Sequence, residues 1–172
     1  ILEYFSNKKL SLLGLLSGVL SGLVTITPAA GFVNYLSAYI ISMIGGIACY
    51  FVVNSIKEKL RYNDTLDAFG IHGVGGVIGA ILTGVFQSHK VNKDILDGLI
   101  YTGHLHTIWI QCIAVIVVVL YSIIITFIIG KTLSIFMSLA TTVEEDKKGL
   151  DQLVHGEKAY FYGELNKLHK RY

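Results

Sequence analysis

Charged residues, proline and cysteine are all scarce in this 172-residue chain. Only 15% of the residues are charged, the net charge is +2, and there is a single proline. So small a net charge excludes a basic nucleic-acid-binding domain. So low a charged fraction is unusual for a soluble domain of this size. The two cysteines, which lie in apolar runs, do not indicate a disulfide framework.

Hydrophobic residues are plentiful, at 53% of the chain, and the mean hydropathy is +0.62. They are concentrated in four runs, at about residues 10–26, 36–56, 67–86 and 107–133. Each run is long enough to cross a hydrocarbon layer about 30 Å thick as a helix. The sequence therefore predicts an all-α integral membrane protein. Residues 1–136 form its transmembrane region and residues 137–172 a polar tail.

Glycines recur in the first and third runs at the spacing typical of helix packing: Gly14, Gly18 and Gly22, then Gly75, Gly76 and Gly79. In lipid, small residues at this spacing allow two helix backbones to approach closely. We therefore expect Gly18 and Gly76 to lie where helices touch. Gly75, Gly76 and Gly79 follow His72 by three, four and seven positions, so we expect its imidazole to point along the same contact face.

His72 is an ionisable group inside an apolar run, which makes it a candidate functional residue. The alternative is a structural histidine that donates one hydrogen bond to a neighbouring helix. Asp64 and Asp67 come shortly before it and are expected to cap the free N–H groups at the start of the helix. A further role at the mouth of a pore is compatible with capping.

His104 and His106 form an H-x-H pair in the polar segment that follows the third run. Two histidines without a third ligand nearby are a weak signal for a metal, and solvated loop histidines are commoner. We therefore predict no metal site and no cofactor. No phosphate-binding loop, nucleophile constellation or paired-carboxylate site is present either, so the sequence does not indicate an enzyme.

The basic residues predict the orientation of the chain in the membrane. Two lysines, Lys90 and Lys93, fall between the third and fourth runs. The opposite side of a four-span arrangement has Lys8, Lys9, Lys57, Lys59, Arg61, Lys131, Lys147 and Lys148. By the positive-inside rule both termini, and hence the polar tail, are cytoplasmic.

Three stretches resemble the ammonium transporter (Amt/Mep/Rh) family. DAFGIHGVGGVIGAILTGVF is similar to its tenth transmembrane helix, and SLLGLLSGVLSGLVTITPAAGFV is similar to its eighth helix and the turn after it. EEDKKGLDQLVHGEKAYFY resembles its cytoplasmic tail, with a GLD-x3-HGE-x-AY pattern. The resemblance covers nearly the whole chain in unbroken order. It implies the C-terminal portion of that fold, helices eight to eleven plus the tail.

The resemblance also implies a function, the transport of ammonium or ammonia across the cell membrane (plasma or bacterial inner membrane). In the family, two inverted five-helix halves surround a narrow pore with two facing histidines, a long tilted eleventh helix follows, and three subunits form a homotrimer. His72 occupies the position of the second histidine. Ala68 and Ser17 match pore-lining positions, and Asp64 and Asp67 fall near the cytoplasmic exit. The first histidine belongs to the fifth helix, so we interpret the chain as a fragment unable to form a complete pore.

The tail of the family docks under the neighbouring subunit and couples the three pores. The matching residues here are Gly149, Asp151, His155, Gly156, Glu157 and Tyr160. A PII-type signal protein is an expected partner at the cytoplasmic face. Leu153 stands where plant relatives have a regulatory threonine, so that form of phosphorylation control is not expected.

Two other interpretations remain open from the residues. One is a small four-helix membrane scaffold or regulatory subunit, which would keep the glycine stripes without needing a pore histidine. The other is a membrane haem protein with His72 as an axial ligand. That would require a second inward-facing histidine, and no other apolar run supplies one.

Overall fold

The computed structural model describes residues 1–157, and the secondary structure of those residues is entirely helical. In chain order the helices are α1 (Leu2–Asn7), α2 (Leu12–Ile26), α3 (Tyr35–Phe51), α4 (Lys57–Leu60), α5 (Val74–Phe86), α6 (Leu99–Thr102), α7 (His106–Phe136) and α8 (Val143–Lys148). Within the described part, four stretches are long and apolar enough to cross a membrane: Leu12–Ala29, Tyr35–Leu60, Phe69–Phe86 and His106–Phe136. The prediction of an all-α, multi-pass membrane protein is confirmed.

Two of these stretches contain a π-helical turn. Val52–Ile56 is π-helical and joins α3 to α4, so that one continuous helix runs from Tyr35 to Leu60. Phe69–Gly73 is π-helical and leads into α5. A π turn accommodates one extra residue and is frequent at functional sites. The second of the two contains His72.

Sequence signals explain most of the helix ends. Ser11 caps α2 by accepting a hydrogen bond from the Gly14 N–H at 2.9 Å. Asn34 caps α3 in the same way, accepting from the Ser37 N–H at 2.9 Å. The residue before a proline is unfavourable in an α-helix. Accordingly α2 ends at Ile26, and a short 3₁₀ turn, Thr27–Ala29, follows.

The core of the first compact unit, residues 1–120, lies where α2, α3 and α5 pack together. It consists largely of small side chains, with Ser21, Thr25, Cys49 and Thr83 all buried. The three hydroxyls donate to the carbonyl oxygen four residues earlier in their own helices, at 2.7–2.8 Å. Such bonds satisfy a hydroxyl in lipid without a partner on another helix.

Thr25 is the point at which the three helices approach most closely. A Cβ atom on Gly79 of α5 would overlap the backbone carbonyl oxygen of Thr25. A Cβ atom on Gly45 of α3 would overlap the Thr25 side chain, and one on Gly75 would lie 3.1 Å from its Oγ1. Glycine is therefore required at these positions by space rather than by backbone conformation.

The expectation for Gly18 and Gly76 is wrong within the described residues. No heavy atom lies within 4 Å of the place where a Cβ would stand on either glycine. Helices α2 and α5 each carry two parallel stripes of small residues. In α2 the stripe of Ser21 and Thr25 packs most closely, and of the glycine stripe Gly22 lies near Ser42 of α3, 3.5 Å from where its Cβ would stand. Spacing alone does not distinguish the two stripes. The bulk of Thr25, which fits against Gly45 and Gly79, determines which stripe packs.

The segment between α5 and α7 is tied to both helices. The Thr107 hydroxyl donates to the Gly84 carbonyl oxygen at 2.7 Å, and a Cβ on Gly84 would lie 2.9 Å from the Thr107 carbonyl oxygen. The buried Gln87 side chain donates to the Leu96 carbonyl oxygen at 2.7 Å. The Ser88 N–H donates to the Phe32 carbonyl oxygen at 2.9 Å, which links this segment to the turn after α2.

The second unit is described from Tyr121 to Glu157. It begins with the remainder of α7, whose large apolar side chains are exposed. Helix α8 starts with a capping box, in which Thr142 and Glu145 exchange hydrogen bonds. Gly149 and Gly156, with φ angles of 87° and 70°, stand on either side of a π-helical turn at Asp151–His155. Positive φ values explain why both positions are glycine.

Candidate functional site

His72 lies in the π turn before α5 with its side chain exposed. The His72 imidazole makes no hydrogen bond to any other described residue. A structural histidine would donate one to a neighbouring helix, and within residues 1–157 no such bond is present. Ala68, at the residue before the π turn, is exposed as well. Within the described residues, the expectation that His72 shares the contact face is wrong. Gly75 and Gly79, the α5 glycines that meet Thr25, are buried, whereas His72 lies on the open side with Gly76.

Ser17 is half-buried on α2, where its carbonyl oxygen accepts the Ser21 hydroxyl at 2.7 Å. It borders a cavity of about 200 Å³, hereafter the cleft, whose wall also includes Cys49, Asp67 and Ile71. Neither His72 nor Ala68 belongs to that wall. Within the described residues the structure therefore brings Ser17 and Asp67 to one cavity and leaves His72 outside it.

Glu3 also borders the cleft, from α1. Its carboxylate accepts from the Ser11 hydroxyl at 2.6 Å and from the Ser11 N–H at 3.2 Å. These two bonds favour the ionised form and hold the pKa of the Glu3 carboxyl below its ordinary range. The N-terminal segment thus places a carboxylate beside the start of α2.

The two aspartates before His72 have different roles. The Asp64 carboxylate accepts from the N–H groups of Phe69 and Gly70 at 3.0 and 3.2 Å, so it caps the π turn as expected. Asp67 does not cap within the described residues. Its carboxylate instead pairs with Lys57, whose Nζ lies 2.6 Å from Asp67 Oδ1. The capping expectation is therefore wrong for Asp67.

Lys57 is the residue at this site that the sequence did not reveal. In the sequence, Lys57 stands out only as one of the basic residues that predict the orientation in the membrane. Its Nζ donates to the Asp64 carbonyl oxygen as well as to the Asp67 carboxylate. A ten-residue separation across a helix end and a turn has no periodicity that could signal such a pair.

A second cavity, of about 480 Å³ and hereafter the outer cavity, lies beyond Asp67. Lys57, Arg61 and Tyr62 border it together with Asp67. The site is therefore a histidine on an open helix face, with two adjoining cavities whose shared wall contains a carboxylate. Polar and ionisable groups so placed in spanning helices are typical of substrate or proton pathways.

The polar tail has an ordered turn at the predicted positions. The Glu157 N–H donates to the Asp151 carbonyl oxygen at 3.4 Å, and Asp151, His155 and Glu157 are exposed. Tyr160 lies outside the described residues. In the first unit, His104 and His106 border a cavity of about 430 Å³. No group of three or more histidine, cysteine or acidic residues in the described part could hold a metal ion.

Comparison with known proteins decides the family. The family model described as Ammonium Transporter Family matches residues 1–160. The chain belongs to the ammonium transporter family. Relatives of this family are named as transporters, and the chain is not an enzyme. The family match does not favour the alternative of an unrelated four-helix scaffold.

Among ammonium transporter relatives, one from Bacillus subtilis (strain 168) is 48% identical over 160 residues, which are 93% of this chain and 39% of that protein. One from Aquifex aeolicus (strain VF5) is 44% identical over 158 residues, covering 92% of this chain and 36% of that protein. The chain thus spans less than two fifths of the length of either relative.

A solved structure agrees with the family assignment. The crystal structure of Saccharomyces cerevisiae Mep2 matches with a TM-score of 0.76 and 36% sequence identity, over 84% of this chain and 33% of that one. A Mep2 mutant from Candida albicans, R452D,S453D, matches with a TM-score of 0.72 and 31% identity, over 91% of this chain. The helical arrangement described above is therefore that of part of an ammonium transporter.

Proposed function

We propose that this chain provides the part of an ammonium transporter that contains one of two pore histidines and the exit from the pore. The observation that carries the proposal is His72, an exposed imidazole without a hydrogen-bond partner in the described residues, at the start of a membrane-spanning helix of this family. Its open helix face is where the first pore histidine would stand.

The chemistry of ammonium explains the use of an imidazole there. Moving an ammonium ion intact through a dry channel costs far more free energy than a few hydrogen bonds return. Ammonia crosses such a channel much more easily, provided that the proton is first removed. A neutral imidazole can accept that proton, and a second imidazole can pass it on. Potassium, similar in size to ammonium, has no proton to surrender and is rejected.

The other pathway residues have positions that suit this mechanism. Ala68 is exposed near His72, and Ser17 borders the cleft. Asp64 and Asp67 hold the turn that leads into the histidine. We assign Ala68 and Ser17 to the pathway and the two aspartates to its cytoplasmic exit. The first pore histidine then comes from chain outside residues 1–172.

The assembly proposed is that of the family. Residues 1–136 lie in the cell membrane, both termini are cytoplasmic, and residues 137–172 form the cytoplasmic tail. In the homotrimer this tail contacts the neighbouring subunit and couples the pores. A PII-type signal protein is the proposed regulatory partner at the cytoplasmic face.

The experiment uses a chimera of the Bacillus subtilis ammonium transporter. Residues 1–172 replace the region of that protein that they match, and the part of it before that region is kept. We expect His72→Ala mainly to lose throughput. His72→Asp should lose selectivity for ammonium over potassium, because a carboxylate attracts any desolvated monovalent cation of suitable size. Uptake is measured with potassium as the competitor. Unchanged selectivity in the aspartate variant would remove His72 from the mechanism.

A further inference from the structure

Asp67 stands where the cleft and the outer cavity adjoin. The cleft extends from this point towards Ser17, and the outer cavity extends towards Lys57. Three residues border both cavities: Val53, Asn54 and Asp67. Asp67 is the charged member of this group. A route along the wall that the two cavities share therefore passes Asp67.

Lys57 compensates the charge of Asp67 at this point. The 2.6 Å ion pair is partly desolvated, since 27% of each side chain is exposed. It is therefore screened less than a pair on the open surface. The Lys57 ammonium group is held from two directions, because its Nζ also donates to the Asp64 carbonyl oxygen. Asp67 itself has a φ of 55°, an uncommon conformation for a residue other than glycine.

At the exit, ammonia takes up again the proton that the imidazoles passed on, and the pair has a direct consequence for the ammonium ion so formed. A free ammonium ion is a hydrogen-bond donor like the Lys57 side chain and would bind an uncompensated carboxylate at the same oxygen. With Lys57 in place, Asp67 Oδ1 is already occupied by an ammonium group.

We propose that Lys57 is a positioning residue that occupies and neutralises Asp67, so that the exit between the two cavities does not retain ammonium. The inference rests on the proposed transport function and assigns a specific step, release, to the Lys57–Asp67 pair. Without Lys57 the carboxylate becomes a trap for the transported ion. The transporter would then bind its substrate more tightly and release it more slowly.

The test compares four variants in the chimera: Lys57→Met, Lys57→Arg, Asp67→Asn and the double variant Lys57→Met/Asp67→Asn. Initial rates of methylammonium uptake are measured against concentration, with the amount of protein in the membrane determined by immunoblot. Lys57→Met should lower both the KM and the maximal rate by about threefold to tenfold. This change corresponds to an interaction stronger than that of an exposed ion pair and weaker than that of a buried one. Lys57→Arg keeps the charge and should stay close to the parent.

The double variant separates charge compensation from a merely structural role. If Lys57 acts by neutralising Asp67, removing the carboxylate as well restores both constants towards those of Asp67→Asn alone. If Lys57 only holds the turn in place, the double variant is at least as impaired as Lys57→Met, and the proposal is overturned. Unchanged kinetics in Lys57→Met also overturn it.

Two controls complete the design. Lys59→Met changes an exposed lysine in the same short helix and should leave both constants unchanged. Absence of uptake in the parent chimera would count against the proposed function itself. Normal parental uptake without the Lys57 effect would count against the release proposal alone.

Discussion

Replacing Gly79 by alanine tests the packing of the three central helices. The added Cβ would overlap the Thr25 carbonyl oxygen and lie 3.2 Å from Pro28 Cδ. A backbone carbonyl cannot rotate aside, so α2 and α5 must separate. Overpacking of this kind typically costs about 1–3 kcal/mol. We expect Gly79→Ala to lower the thermal stability of the chain in detergent by that amount, or about 2–4 °C for each kcal/mol.

Gly76→Ala is the matched control, three residues earlier in the same helix. It gains the same helix propensity on going from glycine to alanine, about 0.5–1 kcal/mol. Its new Cβ has no heavy atom within 4 Å. The difference between the two variants therefore isolates the cost of the overlap. Gly45→Ala, which would overlap the Thr25 side chain, should behave like Gly79→Ala. Equal melting temperatures for the Gly76 and Gly79 variants would refute the close-approach reasoning.

Two further predictions concern orientation and pH. Reporters placed near Asn7 and after Tyr172 should be cytoplasmic, and one at Asn92 should be outside, as the distribution of basic residues indicates. Finding Asn92 and Tyr172 on the same side of the membrane would contradict the four-span arrangement. The hydrogen bonds from Ser11 lower the pKa of the Glu3 carboxyl. The ionised carboxylate therefore stabilises the fold at pH values above the ordinary glutamate pKa, and this stabilisation is lost as the pH falls through the lowered pKa. Protection of the Ser11 amide, measured relative to its intrinsic exchange rate at each pH, should fall over that acidic window. Glu3→Gln should abolish this pH dependence of the protection, and a variant with an unchanged protection profile would show that the carboxylate does not act there.

The sequence was sufficient to predict the class of the fold because lipid imposes simple constraints on a chain. Spanning helices must be long and apolar, and the ends at Pro28 and at the Ser11 and Asn34 caps have local causes. None of these features depends on which helices are neighbours. They could therefore be read from the chain one segment at a time.

The site was less predictable because it depends on which face of each helix meets another. The spacing of His72 and Gly76 fits a contact face as well as an open one, and the π turn at Phe69–Gly73 shifts the register without a sequence signal. The pairing of Asp67 with Lys57 depends on how the chain turns back after α4. Only the cap at Asp64, a contact within six residues, was open to prediction.

Thr25 has a consequence for how sequences of this family can diverge. The same residue limits the size of Gly45 through its side chain and of Gly79 through its backbone. The Thr25 Cβ is itself one of the atoms that an alanine at position 45 would overlap, so only glycine at position 25 would make room there, whereas no side-chain exchange makes room at position 79. Among homologues, alanine at position 45 should therefore occur together with glycine at position 25, while position 79 should remain glycine whatever residue stands at 25.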